Sequence, residues 1–401
     1  MGKKRVLINI HYLEIGGAET SLTGLLQTLD PERVDVDLFL NDHRGEMMVY
    51  IPNWVNVLPE CRAYTMIERP IRMVIKAGYI HIVLARLWAK IRFWLYARKK
   101  HPIDGSAIFG YVGKYVTPLL PSMKNLGKYD LAISFVTPHN IVLDKVLAKK
   151  KICWIHTDYT NIDVNTALEL PIWSGYDHIV SISKDVTKKF CQVFPTLHDK
   201  IVEIENILSP KFIRQQADIE SQSSDMPKVK NGYTLLTIGR FSYQKKLEEI
   251  PIVCRMLTEK GLTVRWYIIG YGGNDEYIRK AITEEGMEEN VILLGKRANP
   301  YPYIKLCDWY IQPSRYEGKS VVVREAQILG KPVIITDYPT SASQVKNGID
   351  GIIVPMNVDK CAEAMAMALT DERQKKGIVD YLVTHDYGNK SEVEKIYSLV
   401  S

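Results

Sequence analysis

The sequence predicts an α/β protein built from two doubly wound parallel-sheet domains. Three observations lead there: a strand-then-helix grammar as far as about residue 205, a polar and Ser-rich stretch at 215–232, and a restart of the same grammar at residue 233. With 401 residues, 46% hydrophobic and 24% charged, the chain is long enough for two cores.

The first strand is "RVLINI" (5–10), apolar throughout as in a strand covered on both faces. A helix follows in "AETSLTGLLQTL", where Leu22, Leu25, Leu26 and Leu29 fall at i, i+3, i+4 and i+7, with Gly16 and Gly17 in the turn between. Further strands are expected at "VDVDLFL", "LAISFV", "KICWIH" and "HIVSIS". Asp35-x-Asp37 superficially resembles a metal motif, but period-two alternation in a strand explains it better. The opening residues read as a first strand rather than a signal peptide, and the six scattered cysteines form no C-x-x-C pair, so a cytoplasmic, reducing compartment is expected.

Net charge is +6, and it is uneven: residues 1–200 carry 26 Lys+Arg against 19 Asp+Glu, a balance of +7. Residues 62–102 hold ten Lys/Arg and the single acid Glu68. As a helix this stretch places Leu84, Leu87, Trp88, Ile91, Trp94 and Leu95 on one face, with Arg86, Lys90 and Lys100 on another. Arg86, Lys90 and Arg92 interrupt any transmembrane window. Residues 71–100 read either as an interfacial helix on an anionic membrane surface or as a helical insertion packed on its own domain. Nucleic acid is disfavoured, because no recognised module surrounds the patch.

In the second half, "YTLLTIGR", "VRWYIIGYGG", "NVILLG", "DWYIQPS" and "KPVIITD" are strands. Their glycine-rich or charged turns lie at carboxyl ends, where ligands bind in doubly wound sheets. "SRYEGKSVVVREAQILGKPVI" (314–334) places Glu317 in such a turn and Glu325 inside the following helix, which Gly330 and Pro332 stop. Amides at the helix start, near Gly318, Lys319, Ser320 and Val321, suit a phosphate, and a carboxylate accepts bonds from sugar hydroxyls. A nucleotide-sugar offers both chemistries. No G-x-G-x-x-G follows the first strand, which disfavours a nicotinamide enzyme.

E-x7-E with "GRFSYQKK" (239–246) upstream, "IIGYGG" and "LLGKR" between, and "GKPVIITDYPTSASQVKNGIDGIIV" after it resembles the retaining glycosyltransferase family 4. The likeness is strongest over 233–358 and weaker at "GGAE" (16–19) and "WIHTD" (154–158). It implies the GT-B fold, two facing Rossmann-like domains, with an acceptor-side domain at 1–210 carrying a helical insertion at about 66–125. A linker at 211–232, a donor domain at 233–380 and a helix at 381–401 crossing back to the first domain complete the expected layout.

In that family the Arg and Lys matching Arg240 and Lys245 bind the donor diphosphate, the Glu matching Glu325 binds the ribose, and that matching Glu317 lies by the donor sugar. Gly16 and Gly17 would open a helix against the β-phosphate, His156 would face the donor sugar, Gly270 would lie in a donor turn, and Lys296 and Arg297 would hold the base through backbone groups. The family often has Gly where this chain has Lys246, and Phe-Gly or Met-Pro at Lys319-Ser320, which bears on the identity of the donor sugar.

The expected donor is a UDP-sugar and the acceptor lipid-linked or oligosaccharide, in surface-polysaccharide synthesis at the inner membrane face, with retention, no cofactor and no metal. Attack from the same face is expected, the departing phosphate oxygen taking the acceptor's proton. An epimerase or a non-catalytic nucleotide-sugar binding module would share the grammar. Glu325, Arg240 and Lys245 read alternatively as solvated charges, and His156 as a structural histidine. His11, Asp158 and Tyr159 sit at strand ends without an assigned role.

Overall fold

The computed structural model describes residues 2–100, 105–219 and 224–400. It divides into two compact units, residues 1–207 with 389–401, and residues 208–388.

The first unit holds seven parallel strands: β1 (Lys4–Ile10), β2 (Val34–Leu40), β3 (Asn56–Val57), β4 (Lys128–Ser134), β5 (Leu147–Ile155), β6 (His178–Ser181) and β7 (Ile201–Glu203). Their order is β3-β2-β1-β4-β5-β6-β7. Strand order therefore reverses between β1 and β4. Leu7 and Ile8 are fully buried, as both faces of a covered sheet require. Leu22, Leu25 and Leu26 of the Gly17–Thr28 helix pack into the same core. Asp37, on β2, is held by Arg5, Asn56 and the Tyr129 hydroxyl, a structural knot in the strand.

The insertion consists of helices Arg62–Thr65, Ile71–Lys76, Ile80–Lys100 and Ile108–Val116; residues 101–104 lie outside the described ones. The single helix read over 71–100 is broken at Gly78, whose φ of +81° leaves the right-handed helical region. The other departure concerns sidedness. Ile82, Val83 and Ala89 are the buried residues of the long helix, whereas Leu84, Trp88, Ile91, Trp94 and Leu95 are exposed. Arg86 faces inward, donating to the Met66 carbonyl at 3.0 Å and the Arg69 carbonyl at 2.5 Å. No described helix is long and apolar enough to cross a membrane.

The second unit has six parallel strands: β8 (Tyr233–Ile238), β9 (Val264–Ile269), β10 (Val291–Gly295), β11 (Trp309–Gln312), β12 (Val333–Thr336) and β13 (Ile352–Val354). The order β10-β9-β8-β11-β12-β13 puts the reversal between β8 and β11. The stretch 211–232 is not wholly linker. A helix at Pro210–Ala217, capped by Ser209 and burying Phe212 and Ile213, packs into the second unit, where the Asn299 side chain donates to the Gln216 carbonyl at 2.9 Å. Residues 220–223 lie outside the described ones.

The expected helix at 381–401 is likewise two pieces. Glu372–Thr384 belongs to the second unit and Glu392–Val400 to the first. There the Asp30 amide donates to the Tyr397 hydroxyl at 2.7 Å, and Arg33 lies 3.6 Å over the Tyr397 ring.

Candidate functional site

The reversal point of the second sheet gathers most of the residues expected to bind a donor. From β8 the chain enters Gly239-Arg240 and a turn through Tyr243–Lys245. Close packing of this turn depends on Gly270, where a Cβ would lie 1.9 Å from the Gly239 carbonyl oxygen. Lys246 adopts a left-handed conformation, φ 56° and ψ 33°. Glycine is the usual residue for that geometry. Here the lysine is retained by its buried ammonium, which reaches the Met356 carbonyl at 2.5 Å and Glu249 at 2.8 Å.

At the carboxyl end of β11, Glu317 meets that turn. Lys245 Nζ lies 2.6 Å from Glu317 Oε1, in a pair whose side chains are only 15% and 8% exposed. The same oxygen accepts from Ser314 Oγ at 2.6 Å, and Oε2 from Gln244 at 3.3 Å. Glu317 is therefore a fixed carboxylate. The alternative of a solvated charge fails for Lys245, which Glu317 draws inward. Arg240 stays exposed, without an ion pair among the described residues.

The helix Val321–Ile328 begins at Ser320, a cap residue without a side-chain cap bond. Its amide is not free for a phosphate. It donates to Gln344 Oε1 at 2.7 Å, while Gln344 Nε2 returns a bond to the Ser320 carbonyl at 2.7 Å. Among the four positions expected to offer amides, Ser320 thus serves the fold. The first helical amides, from Val321, have no intrahelical acceptor and keep the capacity for an anion.

Glu325 is buried in this helix, 2% exposed, and accepts from the Tyr301 hydroxyl at 2.8 Å. Burial pushes its carboxyl up to about 7, and the Tyr301 bond only partly offsets that. A solvated surface role is excluded by this burial. The phenol of Tyr310 is raised well above its ordinary range by burial, with both Glu317 and Glu325 adding to the rise. Tyr301, Gln244, Ser314 and Gln344 escaped sequence reasoning, since nothing in their spacing separates them from ordinary core and turn residues.

Lys296 and Arg297 follow β10. Arg297 is engaged by Asp225 and, at 2.9 Å, by the Tyr303 hydroxyl. Lys296 Nζ lies 4.8 Å over the Tyr271 ring. Among the described residues no group of three His, Cys, Asp or Glu side chains could hold a metal ion.

In the first unit, Gly16 caps the Gly17–Thr28 helix, and a Cβ there would meet Glu19 Oε2 at 2.3 Å; Gly17 has open space around it. His156 follows β5 and packs 4.7 Å from the Phe135 ring. Burial depresses its imidazole to about 3 against a backbone bond with Phe135, so it is neutral at pH 7, with Nε2 unpartnered among the described residues. Asp158 closes a turn with Thr160 and Asn161 and pairs with Lys189, and Tyr159 is buried against Trp173 and Phe190.

Residues 218–381 match the family model described as glycosyl transferases group 1. This segment belongs to that family. The group 1 segment contains Arg240, Lys245, Gly270, Glu317 and Glu325. Similar proteins include an uncharacterized glycosyltransferase of Methanocaldococcus jannaschii, 24% identical over 226 residues, covering 55% of this chain and 56% of the relative. A Campylobacter jejuni N-acetylgalactosamine-N,N'-diacetylbacillosaminyl-diphospho-undecaprenol 4-alpha-N-acetylgalactosaminyltransferase is 26% identical over 144 residues, 35% of this chain and 39% of that one. The chain spans about half the length of the curated relatives it matches. Anabaena HepE, solved in complex with UDP and glucose, superposes with a TM-score of 0.68 at 14% identity over 98% of both chains. The GT-B fold of that structure thus extends over both units, whereas the family match lies within the second.

Proposed function

We propose that this protein is a retaining glycosyltransferase that moves a sugar from a UDP-sugar to a lipid-linked or oligosaccharide acceptor in surface-polysaccharide synthesis. The observation that carries the reading is the buried Lys245–Glu317 pair at the reversal point of the group 1 segment, with Arg240 exposed beside it in sequence. Breaking the anomeric bond develops negative charge on the diphosphate. Lys245, Arg240 and the amides from Val321 meet that charge, each preorganised donor acting where charge develops. A bound diphosphate competes with Glu317 for the Lys245 ammonium, which links donor entry to release of Glu317 toward the sugar. Glu325 accepts bonds from ribose hydroxyls. His156, being neutral, offers a lone pair or an N–H and no charge. Acceptor attack on the same face, with the departing phosphate oxygen taking the proton, completes a retaining route.

The UDP and lipid-diphosphate assignments draw on the HepE complex and the undecaprenol-linked relative. The exposed apolar stripe of the Ile80–Lys100 helix, with Lys90, Arg92, Arg98, Lys99 and Lys100 around it, suits the inner membrane face where such acceptors reside. The decisive experiment follows radiolabel from UDP-sugars into a lipid extract in excess chelator. Transfer with retained configuration is expected. Isomerised donor, binding without turnover, or activity restored only by magnesium or manganese would overturn the reading.

A further inference from the structure

The loop after β1 carries a histidine that donor binding does not use. His11 directly follows Ile10, the last residue of β1, and its Nδ1 is hydrogen-bonded to the carboxylate of Glu68 from the insertion. The loop is stitched down on both sides. The Asp42 amide donates to the His11 carbonyl at 2.9 Å, and the Leu13 amide to the Arg44 carbonyl at 2.9 Å. An ionised carboxylate only accepts, so the Glu68 bond places a proton on Nδ1, and in the neutral ring the lone pair then sits on Nε2. Nε2 is buried and has no partner among the described residues. A polar atom held in that way is costly unless something meets it.

Position gives the missing partner a character. β1 and β4 flank the reversal of strand order in the first sheet, and in such sheets ligands lie outside the carboxyl ends at that point. His139 follows β4 and His156 follows β5. Burial holds both His139 and His156 near 3, so these two rings are neutral at pH 7. The cations around His11 already face carboxylates or backbone carbonyls. Arg44 lies 3.6 Å from Glu14, 3.5 Å from Asp42 and 3.9 Å from Glu68; Arg69 pairs with Asp42 at 2.8 Å; Arg86 is bound to backbone carbonyls. Such a surface suits an uncharged hydroxyl better than a phosphate.

We propose that His11 Nε2 accepts a hydrogen bond from a hydroxyl of the acceptor carbohydrate, with Glu68 as the positioning residue that fixes its tautomer and ring plane. The inference rests on the transferase reading for the word acceptor; the hydroxyl chemistry rests on the first unit alone.

The test uses the full chain, labelled with 15N, in excess UDP. Imidazole spectra are expected to show His11 protonated at Nδ1 and bare at Nε2. Glucose, galactose or N-acetylglucosamine should move the Nε2 resonance. Glu68→Gln, which keeps an oxygen for the Nδ1 proton, should preserve the response, and Glu68→Ala should lose it. Affinity for the responding sugar should fall about tenfold in His11→Phe, the loss of one hydrogen bond, while UDP affinity stays within about twofold. A proton on Nε2 in the wild type, or no response to any of the three sugars, overturns the proposal. UDP that fails to bind the wild type sinks the donor reading and leaves the sugar response to decide on His11.

Discussion

At Glu325, burial and the Tyr301 hydroxyl pull in opposite directions, and burial wins: the carboxyl titrates at about 7 instead of 4.5. Between those values the folded chain keeps a proton that the unfolded chain has released, so stability falls as pH rises. The group's contribution is complete below 4.5 and is lost as pH climbs through about 7. Glu325→Gln should therefore flatten this part of the pH dependence, read from urea midpoints at about pH 5 and about pH 8. At about pH 8, where the carboxylate is charged, it should also weaken UDP binding by roughly 1.5 to 3 kcal/mol, the value of bonds to a charged acceptor. An unchanged slope and unchanged affinity would remove Glu325 from the site.

Lys245 and Arg240 separate by environment. Lys245→Ala strips the partner from a Glu317 that is only 8% exposed, so it should cost about 3 kcal/mol of stability as well as 10²- to 10³-fold in transfer. Arg240→Ala should lose the rate alone, because the side chain is exposed. Calorimetry beside transfer kinetics distinguishes them; equal melting temperatures would mean that the Lys245–Glu317 pair carries no weight.

Among the elements, the Ile80–Lys100 helix shows how a correct period leaves sidedness open. The stripe from Leu84 to Leu95 has the spacing of a core face, yet Ile82, Val83 and Ala89 anchor the helix and the stripe faces outward. Charge reversal of Arg86 would break its bonds to Met66 and Arg69 and unsettle the insertion. The informative variant is Lys90→Glu with Arg92→Glu and Arg98→Glu, all on the exposed side of the chain. It should abolish sedimentation with anionic vesicles, since each basic residue near such a surface contributes about 1 kcal/mol and reversal turns that into repulsion. UDP binding should be untouched, and persistent sedimentation would retire the membrane surface.

For the whole molecule, the last helix belongs to the first unit although the chain reaches it through the second. Val393, Ile396, Leu399 and Val400 are buried in the core that contains β1 and β2. Deleting residues 389–401 should destabilise that unit by on the order of 5 kcal/mol, from lost apolar burial. Hydrogen exchange should then lose protection in β1 and β2 while β8 and β9 keep theirs. Uniform loss in both units would show that they do not unfold independently.

Ten of the thirteen strands are legible as apolar runs, and β3, β7 and β13 are not, because two or three residues carry no period. The sequence by itself determined the two parallel sheets and the turns that bear Arg240, Lys245, Glu317 and Glu325, since each follows from apolar runs and from chemistry fixed at strand ends. Only the tertiary structure decided that Lys245 turns inward to Glu317, that Ser320 spends its amide on Gln344, that Tyr301 covers Glu325 and that His11 rests on Glu68. Those partners lie between 24 and 72 positions apart in the chain. Spacing along a chain reports the faces of one helix or strand. Desolvation and hydrogen bonding depend on what another element brings to that face, and that is settled only when the sheets assemble.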